Sequence, residues 1–437
     1  MPSTATSEPS MNNPPSPTRA LVEPSQLCVG MYVQLDLPWT DHPFTFSSFK
    51  IKSQEQLAEL RALGLTGIHY NPAKSDAKPL PISVDSAASA VAAAKPHGHD
   101  PVYQLKRARI ERLVAQQARA AASEREFVSS ARAVKSINQN IFAKPEEARQ
   151  GAEALVQTIA DSMLTESDVS LHLMKDKVGG EEVYIHSLNV TLLSMMLAKE
   201  LKAPPSAIRL LGMGAMFHDA GKHEIPDRIV RKSEALTKPE QSLLQMHCAY
   251  GVETGRKMGL PKEALQIIGQ HHEHMDGSGY PAGLKGNDFY LLARIVAIAN
   301  TYDNLCNPSR PSQALTPHEA LSLMYAQQRV NFDATSLTTF VRAMGIYPPG
   351  TIVVLSNDCV GMVVSVNSAK ALKPTVLLYD PLVPREQAIL VDLESETEVS
   401  ISRALKPEQL PPPIFEYLSP RRRVTYYFDA DPTHVPA

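Results

Sequence analysis

The densest chemistry in the chain is a paired histidine, His271-His272, that runs through Glu273 into a glycine-rich acidic loop, Asp276-Gly277-Ser278-Gly279-Tyr280-Pro281. Two adjacent imidazoles ahead of such a loop are costly to keep unless they bind something. Partners lie upstream: His218-Asp219 in a Phe-His-Asp-Ala-Gly-Lys run ending at Lys222, His186 one helical turn after Glu182, and His247 between the two clusters. Seven of the 14 histidines fall between 186 and 274, a bias that core packing alone does not produce. Glu182 and His186, four apart on an expected helix, can reach the same point, as two ligands of one ion must. Adjacent helical residues project about 100° apart, so His271 and His272 aim at different positions, and an aspartate such as Asp219 can bridge two ions with its two oxygens. The pattern is that of a binuclear metal site. Mixed imidazole and carboxylate ligands suit Fe, Mn, Ni or Zn, and the absence of thiolate disfavours structural zinc. His223, His274 and His318 are weaker candidates and stay outside the site.

Such ligands need a buried scaffold, and 437 residues suffice for roughly two to four domains. Residues 1–19 read as a disordered tail, rich in Ser, Pro and Thr. Residues 20–73 read as a small α+β module: a strand-like LCVGMYVQLDLPW run, then a helix from Ser53 to Leu65 with Ser53 as N-cap and Gln56 at N3, then GIHY as strand. Residues 74–147 are expected to be a linker and a long basic helix over 103–135, with Ile110, Leu113, Val114 and Ala118 as a narrow apolar stripe. An all-α core of five or more helices is expected over 148–345, from apolar stretches of helical period such as HSLNVTLLSMMLAKEL, SAIRLLGMGAMFHD and FYLLARIVAIANTYDNL. The His218-Asp219 dyad ends one of these helices, with Gly221 as its expected stop. After Pro348-Pro349-Gly350 the period changes to short β-branched runs divided by turn signals, so 346–430 reads as a small β module. The fold class is therefore mainly α and multidomain, a helical core flanked by an N-terminal α+β and a C-terminal β module.

Charge excludes some functions. With 43 Lys+Arg against 46 Asp+Glu, the net charge of -3 provides no global field, so no nucleic-acid polymer is expected as partner and any anionic ligand must be held locally. Cys28, Cys248, Cys306 and Cys359 show no paired spacing, which fits reduced thiols of a cytoplasmic protein. No apolar run approaches the roughly 18–20 residues of a membrane span, and the N-terminus lacks the apolar core of a signal peptide. The sequence shows no Gly-rich phosphate loop of nucleotide-binding type and no solenoid repeat.

Taken together, His186, the His218-Asp219-Ala220-Gly221-Lys222 run, His247 and HHEHMDGSGYP (271–281) resemble the HD-GYP family, bacterial metal-dependent phosphodiesterases that open cyclic di-GMP. The block VGMYVQLDLPWTDHPFTF resembles a small domain of unassigned role found ahead of some HD-GYP domains. The resemblance implies His186, His218, Asp219, His247, His271 and His272 as metal ligands of two or three transition-metal ions, Fe or Mn foremost. Glu182 corresponds to the ligand that a three-metal subgroup uses. By the same implication Lys222 contacts a substrate phosphate. The loop carrying Asp276, Gly279, Tyr280 and Pro281 shapes the nucleotide pocket and, in some relatives, binds diguanylate cyclase domains.

Two positions depart from the family pattern. Where a final metal-binding aspartate is expected, this chain has Asn300, whose amide oxygen can ligate but brings no negative charge; Asp303, three residues on, is near enough to compensate. At Arg310-Pro311-Ser312-Gln313, relatives carry a second basic residue where Gln313 stands, leaving Arg310 as the substrate-binding cation of this segment. The function expected is cyclic di-GMP hydrolysis to pGpG, and on to GMP if the third metal site is filled, with Asp219 and Lys222 as catalytic residues. The alternative is a non-catalytic cyclic di-GMP sensor or scaffold with a degenerate metal site. A homodimer through the 103–135 helix is a further expectation.

Overall fold

In the computed structural model, the described residues are 20–37, 42–44, 46–81, 118, 125–165, 170–173, 182–232, 234–308, 310–367, 372–381, 383–385, 388–396, 399–420 and 426–428. The expected tail, most of the 74–124 segment and the apolar stripe residues Ile110, Leu113 and Val114 fall outside them; Ala118 is helical and exposed.

The chain forms two compact units. The first, Met1–Arg112 with Asp380–Gln387, carries a four-stranded antiparallel sheet in the order β1-β4-β2-β3, from β1 (Ala20–Val22), β2 (Tyr32–Gln34), β3 (Ser48–Lys50) and β4 (Ile68–Tyr70), with helix α1 (Gln54–Ala62). Ser53 caps α1 as expected, its hydroxyl accepting the Gln56 N–H at 3.2 Å. The Gln56 side chain reaches back to the Lys52 N–H (2.8 Å) rather than closing a box on Ser53. The long strand expected from Leu27 shortens to three residues because the chain turns at Gly30, whose φ of +94° lies in the region that glycine tolerates. Leu27, Met31, Val33, Leu57, Leu60 and Ile68 form this unit's own core. The unit also draws in a piece of the expected β module: Ser47 donates its hydroxyl hydrogen to Asp380 Oδ2 at 2.9 Å.

The second unit, Leu113–Tyr379 with Ala388–Ala437, is the helical core. It begins with α2 (125–140) and α3 (Pro145–Thr165). A boundary at 147 does not separate linker from core, because Phe127, Ala131, Val134 and Ile137 of α2 are buried in the same cluster as Ala152 and Val156 of α3. The centre of the unit is α4 (Glu182–Glu200), in which every side chain from Ser187 to Ala198 is buried. Such a helix needs neighbours on all sides. They include α5 (Pro205–Met216), α10 (Leu291–Cys306) and α12 (Ala334–Met344), with α8 (His247–Lys257), α9 (Lys262–Gln270) and α11 (Pro317–Ala326) outside these. Two short helices, α6 (Asp227–Val230) and α7 (Lys238–Gln245), lead into α8. None of the described helices is long and apolar enough to cross a membrane.

The C-terminal strands do not stand apart from this core. β5 (Ser170–Leu173), from between α3 and α4, pairs antiparallel with both β7 (Val360–Asn367) and β11 (Tyr426–Phe428). The seven-stranded sheet runs β10-β6-β7-β5-β11, with β6 (Ile352–Leu355) and β10 (Ile401–Leu405) on one side and β8 (Thr375–Leu378) and β9 (Leu390–Asp392) branching from β7. Ile352, Met362 and Leu410 from this region, with Leu418 of α13 (Pro412–Leu418), join the helical core cluster.

Candidate metal centre

Helix ends deliver most of the centre. α5 stops at Met216, and the chain turns through Phe217 into His218 and Asp219 before a 3-10 segment, Ala220–Glu224. Gly221 is therefore not the helix stop expected of it. It permits a close approach instead: a Cβ there would collide with the His247 carbonyl and the Gly251 N–H, so only glycine lets this segment lie against α8. That approach sets Asp219 beside His247, the first residue of α8. His271 caps the C-terminal end of α9, His272 follows it, and His186 lies in the second turn of α4.

Three imidazoles are aimed by one device. His218, His247 and His271 each present Nδ1 to the carbonyl three residues earlier, Ala215 at 2.7 Å, Leu244 at 2.6 Å and Ile268 at 2.8 Å. A carbonyl only accepts, so Nδ1 carries the proton and Nε2 turns its lone pair inward. His186 is backed differently, by Asp303 Oδ2 at 2.6 Å from its Nδ1.

Inside, Nε2 of His186 and of His218 stand 3.3 Å apart, and Nε2 of His247 and of His271 stand 3.2 Å apart. Asp219 lies between the two pairs. Its Oδ2 is 3.6 Å from His186 Nε2 and 3.5 Å from His218 Nε2; its Oδ1 is 3.6 Å from His247 Nε2 and 3.9 Å from His271 Nε2. Ligand atoms of Asp219, His247, His271 and His272 lie within 4.8 Å of one another, as do those of His186, His218 and Asp219. The residues fit a metal. Facing lone pairs repel unless a cation stands between them, and Asp219 Oδ1 is buried without a hydrogen-bond partner among the described residues.

The electrostatics agree with this. Burial pushes His218 down to about 4 and lowers His247, and it holds His271 and His272 well below the usual histidine range. All four are thus neutral near pH 7, the form in which imidazole binds metal. Burial opposes the charge on Asp219, but Lys222 first and then the imidazoles hold its carboxyl well below the usual carboxylate range. Cys248 sits 3.6 Å from His247 Nε2, and burial raises its thiol to about 12, which leaves no thiolate in the centre.

Lys222 places Nζ 2.6 Å from Asp219 Oδ2 with a third of its side chain exposed. Tyr280 stacks on His272 with ring centroids 4.5 Å apart and an interplanar angle of 19°, so the Gly-Tyr-Pro loop packs directly on a candidate ligand. Gly279 has no room for a Cβ, which would collide with backbone of His272, Glu273 and His274. Asp276 is exposed and folds the loop, its Oδ1 accepting from Ser278 N–H (2.9 Å) and Oγ–H (2.7 Å). Pro281 is exposed, and so is Arg310 beyond the end of α10. The backbone of Glu182 is one turn before His186 in α4, but its side chain lies outside the described residues. Asn300 is buried in α10, its Oδ1 accepting from Asn304 Nδ2 at 2.8 Å. Asp303 does not join the inward ligand atoms, because both its oxygens are committed behind His186: Oδ2 to that imidazole and Oδ1 to the side-chain amides of Asn189 (2.7 Å) and Asn307 (2.9 Å). His223, His274 and His318 are engaged elsewhere, against Phe142, Ser278 and Tyr347.

Sequence reasoning missed Glu273 as a positioning residue. It is fully buried and accepts the Ala282 N–H on Oε1 (2.7 Å) and the Leu284 N–H on Oε2 (2.8 Å), which closes the loop over the centre. An acid placed between a histidine pair and a glycine-rich turn was its only signal. Asn189 was missed too, although it follows His186 by three residues on the same helical face.

Comparison with known proteins agrees with the geometry. Residues 156–336 match the model for the HD domain, and 21–152 match a domain of unknown function, DUF3391. The chain is similar to the cyclic di-GMP phosphodiesterase PA4108 of Pseudomonas aeruginosa, 30% identical over 362 residues, which are 81% of this chain and 84% of that protein. It is also similar to the cyclic di-GMP phosphodiesterase response regulator RpfG of Xanthomonas campestris pv. campestris, 35% identical over 34% of this chain and 39% of that protein. A third relative is the 3'3'-cGAMP-specific phosphodiesterase 3 of Vibrio cholerae, 29% identical over 37% of this chain and 35% of that protein. The chain belongs to the HD-GYP family of HD domain proteins, with a DUF3391 domain at its N-terminal side.

Proposed function

We propose that this protein is a metal-dependent phosphodiesterase that hydrolyses cyclic di-GMP to pGpG, with GMP as end product when a third ion is held near Glu182. The observation that carries this reading is Asp219, whose two oxygens face two separate sets of imidazoles while one of them has no other partner. His186, His218 and Asp219 would hold one ion and Asp219, His247, His271 and His272 the other, with Asn300 lending an amide oxygen; Fe or Mn suits this donor set. When bound, such ions supply Lewis acidity, polarising phosphoryl oxygens and bringing a coordinated water within reach of ionisation near neutral pH.

The chain's own groups do the rest. The Lys222 ammonium, anchored on Asp219 yet partly exposed, is placed to hold a phosphate oxygen, and exposed Arg310 offers a second cation for the diester. Tyr280, its phenol kept protonated by burial, forms a wall against His272, and Glu273 keeps that wall in place. Asp276, Gly279 and Pro281 shape the loop. In organisation, we read residues 20–73 as a small α+β module, 148–345 as the catalytic segment and 346–430 as a small β module that extends it. Diguanylate cyclase domains as loop partners, a homodimer through 103–135 and a cytoplasmic site of action belong to the same proposal, the last supported by four free cysteines.

Asn300 favours one rival, a cyclic di-GMP sensor without turnover, because it removes a charge from the ligand set. The deciding experiment is product release from cyclic di-GMP with iron or manganese supplied anaerobically. Release of pGpG or GMP supports the enzyme. Tight cyclic di-GMP binding with no product under either metal overturns it in favour of the sensor.

A further inference from the structure

Of the four histidines whose Nδ1 contacts are described above, only His186 has a carboxylate behind it; the other three lean on backbone carbonyls. That carboxylate, Asp303, is 1% exposed, and its position is held from two directions. Asn189 of α4 donates to Oδ1 at 2.7 Å and Asn307, at the end of α10, donates to the same oxygen at 2.9 Å. Two amides spent on one oxygen, Asn189 buried and Asn307 half-buried, leave Oδ2 pointing at the imidazole alone. A neutral imidazole donating Nδ1–H to a carboxylate has a more electron-rich Nε2 than one donating to a carbonyl, and so is a stronger ligand. The same helix α10 carries Asn300, one turn earlier, whose buried amide brings no charge.

We propose that Asp303 is a positioning residue that fixes His186 with Nε2 towards the centre and delivers through that imidazole the negative charge that Asn300 does not bring. This role rests on the reading of the cluster as a metal centre. The charge is moved outward by one residue: the carboxylate lies behind the ligand instead of on the ion. Asn189 and Asn307 are the braces that keep Asp303 from rotating onto the ion itself.

The test is Mn2+ and Zn2+ binding to the full chain after chelator stripping, measured by titration calorimetry with no substrate present. Asp303→Asn keeps the shape and an acceptor for Nδ1–H but removes the charge, and its affinity is expected to fall about 10–100-fold. In that background Asn300→Asp, which supplies a charge directly, is expected to restore most of the loss. A purely structural Asp303 would show wild-type affinity in a folded Asp303→Asn chain, and that result overturns the proposal, as does failure of Asn300→Asp to restore binding. If Asp303→Asn does not fold by circular dichroism, Asn307→Ala loosens one brace and is expected to weaken binding by a smaller factor; unchanged affinity there also overturns it. A wild-type chain that binds neither ion defeats the metal centre itself and this role with it, whereas wild-type binding with insensitive variants defeats this role alone.

Discussion

At the residue scale, the centre depends on one carboxylate shared between two sets of imidazoles. Asp219→Ala is therefore expected to empty both ion positions together, which elemental analysis of the purified variant will read; retention of the wild-type metal content would refute the bridging role. Lys222→Ala is expected to keep the metal but weaken cyclic di-GMP binding by about 1.5–3 kcal/mol, the scale of a hydrogen bond to a charged group. Equal affinity in calorimetry would place the ammonium elsewhere. Burial holds His218 at about 4 in the folded chain against 6.5 in the open. The unfolded chain binds more protons between those two values, so His218 alone costs the metal-stripped protein roughly 3 kcal/mol as pH falls from about 6.5 to 4, and His247, His271 and His272, lowered by the same burial, add to the loss. Asp219, held low in the fold, titrates beneath that window and adds its own loss only at more acidic pH. Denaturant titrations of the helical circular dichroism signal across this range will show the slope, and a pH-independent midpoint would mean that these imidazoles are solvated.

At the element scale, the centre is built where segments approach too closely for side chains. The 3-10 segment after Asp219 lies on α8 because residue 221 is glycine, and the loop from 273 to 284 folds over His272 because residue 279 is glycine. Gly221→Ala is expected to cost at least about 2 kcal/mol and to lower metal content, since the clash is with backbone that cannot swing aside. Glu273→Gln replaces two carboxylate acceptors with one and turns an amide N–H towards a backbone N–H. It is expected to raise KM for cyclic di-GMP with metal content unchanged, because the loop, not the ligand set, loses its anchor. Wild-type kinetics in that variant would remove Glu273 from the positioning of the loop. Both residues stand in the sequence motif, yet their jobs were not legible there. The close contact of Gly221 is with backbone of α8, and only the packed structure names that helix.

At the scale of the whole molecule, two separate cores mark what can be cut. The core of the first unit and that of the helical unit share no buried residue. By contrast, Phe127 and Val134 upstream of 148, and Ile352, Met362, Leu410 and Leu418 downstream of 345, all enter the helical cluster. A fragment over 148–345 is therefore expected to be insoluble or molten, while one over 113–437 retains cooperative melting and metal binding. A well-folded 148–345 fragment would show that the sheet is dispensable to the centre.

The sequence by itself determined the ligand types, their order, the helices that carry them and the change to strands after 348. These are written locally, in side-chain chemistry and in the 3.6- and 2-residue periods that burial of one face imposes. Tertiary structure alone decided which carboxylate lies between the two pairs of imidazoles and which stands behind His186. Asp303 and His186 are 117 positions apart, and no local period says that they meet. The same holds for β5, four residues between two helices that find a place in the sheet only because β7 and β11 offer open backbone groups on either side. Periodicity tells a segment which face to bury; which partner covers that face is settled by the packing of all the helices together.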